Sequence, residues 1–408
     1  MSAHQLKTGY FVLEGLNSFA TVYYFYYLYF FMQKAFGFGN KANLALAALI
    51  GAISVIAAWW GGRFAQRCGY FTALKLGFVI MTGALAAGTL VGSASGQVLV
   101  SAATVIGMCF TWPTLEALVS EDETRSGLQR RVGLYNIVWA GTGALAYFTG
   151  GAMLDQLGFK SLFYVPAAIQ LSQLGLTLWL EPRAGRTIPG RTAQVGEAAT
   201  QQLTELAGLN RSRTPGLNPY PATKAKLFLR MAWLANPFAY VSLNTLIALT
   251  PGVAKRLGLS TMLAGFCCSV WCFARLGAFI ALWFWGGWHY RFRWLLAAYV
   301  MLVAAFAAML MVPNLAVLLL AQIAFGSALG LIYYSSLFYS MDLSKTKGEH
   351  GGIHEAAIGL GNFAGPAVGA ASLQFLPQYA NSSALAVSGL LILGLGGLLG
   401  IWRLGKAR

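Results

Sequence analysis

The chain has 408 residues, of which 57% are hydrophobic and 10% are charged. Soluble globular domains carry about 25% charged residues, so this composition, with a mean hydropathy of +0.62, excludes a water-soluble globule and indicates a membrane protein. The formal net charge of +16 leaves nucleic-acid binding open until the positions of the cations are considered.

Twelve apolar runs are each long enough to cross a bilayer, which takes about 20 residues in a helix. They cover residues 8–33, 43–62, 71–92, 97–120, 132–154, 161–181, 227–250, 261–286, 294–312, 315–341, 351–375 and 383–403. Strands of a transmembrane β-barrel would instead alternate over about ten residues. The sequence therefore predicts an all-α polytopic membrane protein.

The first run is too long for a cleavable signal peptide, and we expect it to stay as a membrane helix. Glu14, Asn17 and Thr21 recur in it at helical spacing, and Tyr24 and Leu28 continue the same face. These polar groups either join helices through hydrogen bonds or line a substrate cavity, with Glu14 carrying protons. Both interpretations remain open from the residues alone.

The fourth run ends with Glu116 in "TWPTLEALVS". We expect this carboxylate to pair with a loop arginine such as Arg125 or Arg130, and proton transfer is the alternative.

Between runs six and seven, residues 182–226 are rich in Pro, Gly, Arg and Thr. This segment predicts a linker, with a short surface helix at 196–209, between an N-terminal half (1–181) and a C-terminal half (227–408).

The eighth run contains Arg275, with long apolar stretches on both sides. A charge at this depth needs a partner, either an acid such as Glu14 or Glu355 or a carboxylate or phosphate of the substrate. Cys268 and Cys272 are four residues apart and could share a helix face, with Cys267 adjacent, but no histidine lies near them in sequence to complete a metal site. We expect packing thiols, no metal site and no cofactor.

The eleventh run begins with His354 and Glu355 in "GGIHEAAIGLGNFAGPAVGA". Three interpretations are open: an anion at a helix N-terminus beside a headgroup-level histidine, a proton relay, or a direct substrate contact. The glycines that follow have the small-residue spacing that predicts close helix packing. They are Gly359, Gly361, Gly365 and Gly369.

Internal similarity supports two halves built from a duplicated unit. A shift of 219 residues aligns Asn136 with Glu355, and a shift of 227 aligns Asn17 with Asn244. The latter match makes Asn244 a cavity candidate.

With the N-terminus inside, 22 of the 28 Lys and Arg residues fall in inner segments. Membrane topology therefore explains the basic charge, with both termini cytoplasmic, and no nucleic-acid partner is needed.

The turn after the second run, "GGRFAQRCGYFTALKLG", contains Gly62, Arg67 and Gly69 at the positions of a major facilitator superfamily motif, with Gln66 where that family usually has Asp. Together with twelve runs and a long basic central loop, the whole chain resembles this superfamily. The resemblance implies two pseudo-symmetric six-helix halves and a cytoplasmic gate. The gate candidates are Gly62, Arg67, Gly69, Glu116 and Arg130.

No Walker-type stretch or Ser/His/Asp set is present, so neither an ATP-driven pump nor an enzyme is expected. We predict a monomeric secondary active transporter in the plasma (inner) membrane that moves a small organic solute by alternating access, coupled to protons. The alternative is a facilitator, or a lipid or amphiphile flippase, without proton coupling. The proton candidates are Glu14, Glu355 and His354. The substrate-cavity candidates are Asn17, Thr21, Tyr24, Asn244 and Arg275.

Overall fold

A computed structural model describes residues 3–120, 125–187, 222–343, 347–379 and 381–406. These residues form twelve long helices and no strand, which confirms the predicted all-α class. The helices are α1 (Ala3–Phe36), α2 (Asn40–Cys68), α3 (Tyr70–Gly88), α4 (Ala94–Ser120), α5 (Arg125–Leu157), α6 (Ser161–Thr187), α7 (Ala222–Arg256), α8 (α8a, Thr261–Cys268, and α8b, Val270–Phe284), α9 (Phe292–Met311), α10 (Leu315–Leu343), α11 (Lys347–Phe375) and α12 (Ser382–Lys406).

Ten of these helices are long and apolar enough to cross a membrane by length and composition, within the described ranges. The other two, α1 and α6, have 34 and 27 residues, enough to span a bilayer. Their mean hydropathy is lower because tyrosines dominate the middle of α1 and glutamines interrupt α6. The predicted surface helix at 196–209 lies outside the described residues.

The eighth span is interrupted at Ser269, which the sequence does not predict. Gln322 of α10 satisfies the backbone groups on both sides of the interruption. Its Nε2 donates to the Cys267 carbonyl at 2.7 Å, and its Oε1 accepts from the Trp271 amide at 3.3 Å. Backbone polar groups must be paired inside the bilayer, so this side chain allows the interruption to persist at membrane depth.

Glycines bring α11 into close contact with α2 and α7, as their spacing predicts. A Cβ on Gly51 of α2 would collide with the backbone of Phe363, and one on Gly359 would lie 2.9 Å from the Val55 amide nitrogen. On another face of α11, Gly361 and Gly365 pack against backbone carbonyls of α7. We call α1–α6 the first six-helix set and α7–α12 the second. Because α2 belongs to the first set and α11 to the second, this packing joins the two sets along the molecule.

We call the face where α1 begins and α12 ends the terminal face, and the other the opposite face. At the opposite face, hydrogen bonds cross between the two six-helix sets. Asp155 at the end of α5 accepts from the Met262 amide of α8a at 3.0 Å, and Lys41 of α2 donates to Gln374 of α11 at 2.9 Å. These contacts hold the two sets together on that face.

Candidate functional site

A cavity of about 180 Å³ lies between the two six-helix sets. Its described lining comes from α1, α2, α4 and α5 on one side and from α7, α8b, α10 and α11 on the other. Sites for drug-sized ligands usually enclose about 300–1,000 Å³, so this cavity is smaller than those sites and has room only for a small solute. Both sets contribute walls, and a relative movement of the sets would therefore reshape this space.

Aromatic rings from five helices line the cavity. On α1, Phe25, Tyr26 and Tyr29 recur at helical spacing and turn toward the cavity. Rings from four other helices complete the wall, and they are Trp112, Trp139, Tyr240 and Tyr333. Several of these rings touch one another edge-on, as do Trp139 and Tyr333, whose centroids are 5.5 Å apart. Such walls offer flat apolar surface to an organic molecule.

Arg275 is the only arginine or lysine among the described cavity-lining residues. Its guanidinium carbon lies 4.4 Å from the Trp139 ring centroid and 4.9 Å from that of Trp271, so the cation packs between two indoles. The Tyr26 side chain is close enough to accept a hydrogen bond from it. Its Nε has no hydrogen-bond partner, and no carboxylate of the described residues forms an ion pair with it.

Three other predicted residues line the same cavity: Thr21, Asn244 and Glu355. The Asn244 amide nitrogen donates to the side-chain oxygen of Asn362, and both residues face the cavity. The carboxyl group of Glu355 and the guanidinium of Arg275 therefore border the same cavity. This arrangement places a carboxyl group, a guanidinium, two amides and aromatic rings around the same space.

Glu14 is fully buried but does not line the cavity. Neither of its carboxyl oxygens has a hydrogen bond of ordinary geometry among the described residues, although the Tyr135 side chain is close enough to interact. Its carboxyl also interacts electrostatically with Glu116 and Glu355. Three acids from α1, α4 and α11 thus lie close together between the terminal face and the cavity.

Asn17 and Tyr24, predicted for the cavity wall, lie instead among α1, α4 and α6. Asn17 donates to the Thr111 hydroxyl at 3.2 Å and accepts from Gln170 at 3.5 Å. The Tyr24 ring packs edge-on against Phe163, with centroids 6.0 Å apart. In this conformation both side chains link helices of the first set, and a direct role in substrate binding stays a prediction.

His354 is buried beside the cavity wall. Its ring packs edge-on against Tyr333, with centroids 5.6 Å apart, and its Nε2 has no hydrogen-bond partner in the described structure. The side chain does not line the cavity, whereas its neighbour Glu355 does. The two residues therefore differ in their access to a bound solute.

Three of the predicted gate residues, Gly62, Arg67 and Gly69, lie at the terminal face where α2 turns into α3, and Glu116 lies near the end of α4 at the same face. Gly69 has a φ of +94°, which favours glycine at this turn. Gly62 is buried, Arg67 is exposed and Glu116 is half-buried. The side chain of Arg130 lies outside the described residues. Their part in gating stays a prediction.

The sequence did not single out five of the cavity residues: Trp112, Trp139, Tyr240, Tyr333 and Asn362. Aromatic residues make up 14% of the chain, so no single Trp or Tyr stands out in the sequence. Asn362 had a usable signal, because it is an isolated amide in the Gly-rich stretch "GLGNFAGPAVGA". No cluster of His, Cys, Asp or Glu in the described part of the chain is arranged to hold a metal ion.

The family model of the Major Facilitator Superfamily matches residues 75–366. The chain belongs to this superfamily. No curated protein sequence matches the chain. Among solved structures, the crystal structure of the nucleoside transporter NupG is similar at a TM-score of 0.68 and 14% identity, over 98% of this chain and 99% of that one. The crystal structure of a mutant of NupG is similar at a TM-score of 0.69 and 13% identity, over 97% of this chain and 99% of that one.

At this identity, the NupG structures establish the fold and leave the substrate open. The superfamily match and the shared fold confirm the predicted family and its helical architecture. The protein is thus a multi-pass membrane protein of a solute-transporter superfamily, and the central cavity is its candidate transport site.

Proposed function

We propose that the protein is a proton-coupled secondary active transporter that moves a small organic solute across the membrane by alternating access. The observation that carries this proposal is the central cavity, whose walls come from both six-helix sets while the opposite face is held closed between them. Rocking of two such sets about a site at their interface is how repeat-built transporters alternate access.

The cavity lining supports an organic solute with a flat body and an anionic group. Aromatic walls suit the body, and Arg275 offers a guanidinium that forms no ion pair with the described protein. Glu355 on the same cavity also permits a zwitterion, whose amine it would bind. A nucleoside is the second candidate, because NupG is a nucleoside transporter, although a neutral nucleoside leaves the charge of Arg275 uncompensated.

Proton coupling is proposed for the three acids between the cavity and the terminal face. Glu14 is the main candidate because it is fully buried and neither carboxyl oxygen has a hydrogen bond of ordinary geometry among the described residues, and such a group is costly to keep charged. Glu355 connects this group of acids with the solute, and His354 adjoins it. We further propose that the terminal face is cytoplasmic, in the plasma (inner) membrane, and that the protein acts as a monomer.

Transport by the purified protein in liposomes tests the proposal. Benzoate, tryptophan, uridine and glucose would be offered with an imposed proton gradient, with and without a protonophore. We expect uptake of benzoate or tryptophan above equilibrium, lost on adding the protonophore. Counterflow that persists under every condition, without gradient-driven accumulation, would indicate the alternative, a facilitator. Movement of a labelled lipid analogue without uptake of any of these solutes would indicate a flippase.

We expect Glu355→Gln to shift the pH profile of uptake while retaining gradient-driven accumulation. The side chain borders the cavity, so its charge affects solute binding, whereas Glu14 is sealed from it. Uptake rates measured from pH 5 to 8 provide the test. Glu181→Gln is the matched control. Glu181 forms an ion pair with Lys75, with 2.8 Å between Nζ and Oε1, and this pair does not line the cavity. Identical profiles for Glu355→Gln and Glu181→Gln would contradict a role for Glu355.

A further inference from the structure

A second pocket, shallow and largely open to solvent, lies at the terminal face between the beginning of α9 and the end of α12. Its volume is about 580 Å³, and it shares no lining residue with the central cavity. Three cations, two rings and one leucine line this basic groove: Arg291, Arg293, Lys406, Phe292, Trp402 and Leu296. The proposed transport cycle makes no use of it.

The three cations of the basic groove are exposed to solvent. No ion pair to Arg291, Arg293 or Lys406 occurs within the described ranges. The Lys406 ammonium lies 5.2 Å from the Trp402 ring centroid, which fixes it beside the groove. Three unpaired positive charges around one concave surface favour a group that carries at least one negative charge and several acceptor oxygens, as a phosphate does.

The rings of the groove give it a rigid apolar floor. Phe292 and Trp402 stack with centroids 4.3 Å apart and an interplanar angle of 8°, and Phe228 of α7 packs edge-on against Trp402. Below them on α9, Leu296 and then Val300 follow at one-turn spacing, and Val300 is 48% exposed. An apolar strip therefore runs from the groove along a membrane-spanning helix.

The placement of cations by membrane topology does not by itself require a groove lined in this way. Arg63 on α2 is also a terminal-face cation, and it stacks on Trp59 at 3.8 Å, but it lines neither this groove nor the central cavity. The positive-inside tendency accounts for both sets of cations. It does not account for a groove that combines cations, stacked rings and a strip toward the hydrocarbon.

We propose that the basic groove binds the phosphate of an anionic phospholipid headgroup, with Arg291, Arg293 and Lys406 contacting the phosphate and an acyl chain lying along Leu296 and Val300. A free phosphate would satisfy the same cations, but it would leave the apolar strip unused. Anionic lipids are attracted to juxtamembrane Lys and Arg clusters, and a groove between spans adds the geometry for one bound lipid.

Thermal unfolding and lipid binding of the purified full chain in a neutral detergent test this site. Dioleoyl phosphatidylglycerol should raise the melting temperature of the parent protein more than dioleoyl phosphatidylcholine or inorganic phosphate at equal concentration. In the triple variant Arg291→Gln, Arg293→Gln, Lys406→Gln, we expect affinity for a fluorescent phosphatidylglycerol to fall about tenfold or more. Arg63→Gln, the matched control, should bind it as the parent does.

Stabilisation by inorganic phosphate equal to that by phosphatidylglycerol would overturn the lipid assignment. Unchanged phosphatidylglycerol affinity in the triple variant, or equal affinity for phosphatidylcholine, would overturn the site itself. Each single variant is measured in parallel, because a partial loss from Arg291→Gln and from Lys406→Gln supports the groove even where the triple variant expresses poorly. Lipid binding is read without transport, so this test is independent of the proposed function.

Discussion

Arg275→Gln is expected to weaken the binding of an organic anion to the central cavity by about 10- to 100-fold, because a charge-assisted hydrogen bond contributes about 1.5–3 kcal/mol. The guanidinium packs between Trp139 and Trp271 without an ion pair in the described residues, so a bound carboxylate would be its counter-charge. Arg275→Lys should lie between the parent and Arg275→Gln, since an ammonium lacks the planar two-point grip.

Calorimetry of benzoate binding to the purified protein measures this effect. Benzamide, which has the same shape without the charge, is the control ligand and should bind weakly to every variant. Unchanged benzoate affinity in a folded Arg275→Gln protein would exclude Arg275 from substrate binding. Uridine affinity that is strong and insensitive to the substitution would instead support the nucleoside candidate.

The alternative partner for Arg275 is an acid of the protein. In that case Arg275→Ala would destabilise the fold, and a second neutral substitution, Glu14→Gln or Glu355→Gln, would restore it. We expect that neither double variant restores stability, because no carboxylate forms an ion pair with Arg275 in the described residues. Melting temperatures of the single and double variants distinguish the two cases. Restoration of stability by either double variant would identify the acid as partner.

Glu14→Gln is expected to abolish gradient-driven accumulation while solute exchange continues. The side chain is fully buried and its carboxyl oxygens have no ordinary hydrogen bond in the described structure, so a neutral isostere fits the same space. Glutamine cannot bind and release a proton, and the coupling step is therefore lost. The cavity lining does not include Glu14, so its shape and its affinity for solute should be preserved.

Two liposome assays on the same preparation separate these effects: accumulation driven by a proton gradient, and counterflow without one. We expect the first to fall to the level of protein-free liposomes and the second to stay near the parent rate. Glu181→Gln again serves as the control acid, since it lies in a partly exposed ion pair of little energetic weight. Accumulation at the parent level in Glu14→Gln would remove Glu14 from the coupling mechanism.

Much of the architecture follows from the sequence because its signals are local. Each of the twelve apolar runs coincides with a helix, since the thickness of the hydrocarbon sets the length of an apolar stretch that must be helical. The glycine spacing of α11 likewise predicts the close packing that is observed. Arg275 and Glu355 stand out as rare charges in apolar runs, and both border the cavity.

Only the tertiary structure shows which neighbour each buried face meets. Helix α1 is mostly buried, and its polar face at Asn17 turns to α4 and α6 while Tyr26 and Tyr29 face the cavity. A periodic pattern marks a face as polar or apolar but does not say what lies opposite. The interruption of α8 at Ser269 also depends on a tertiary neighbour that the local sequence does not show. Gln322, more than fifty residues away in sequence, forms hydrogen bonds with backbone groups on both sides of Ser269.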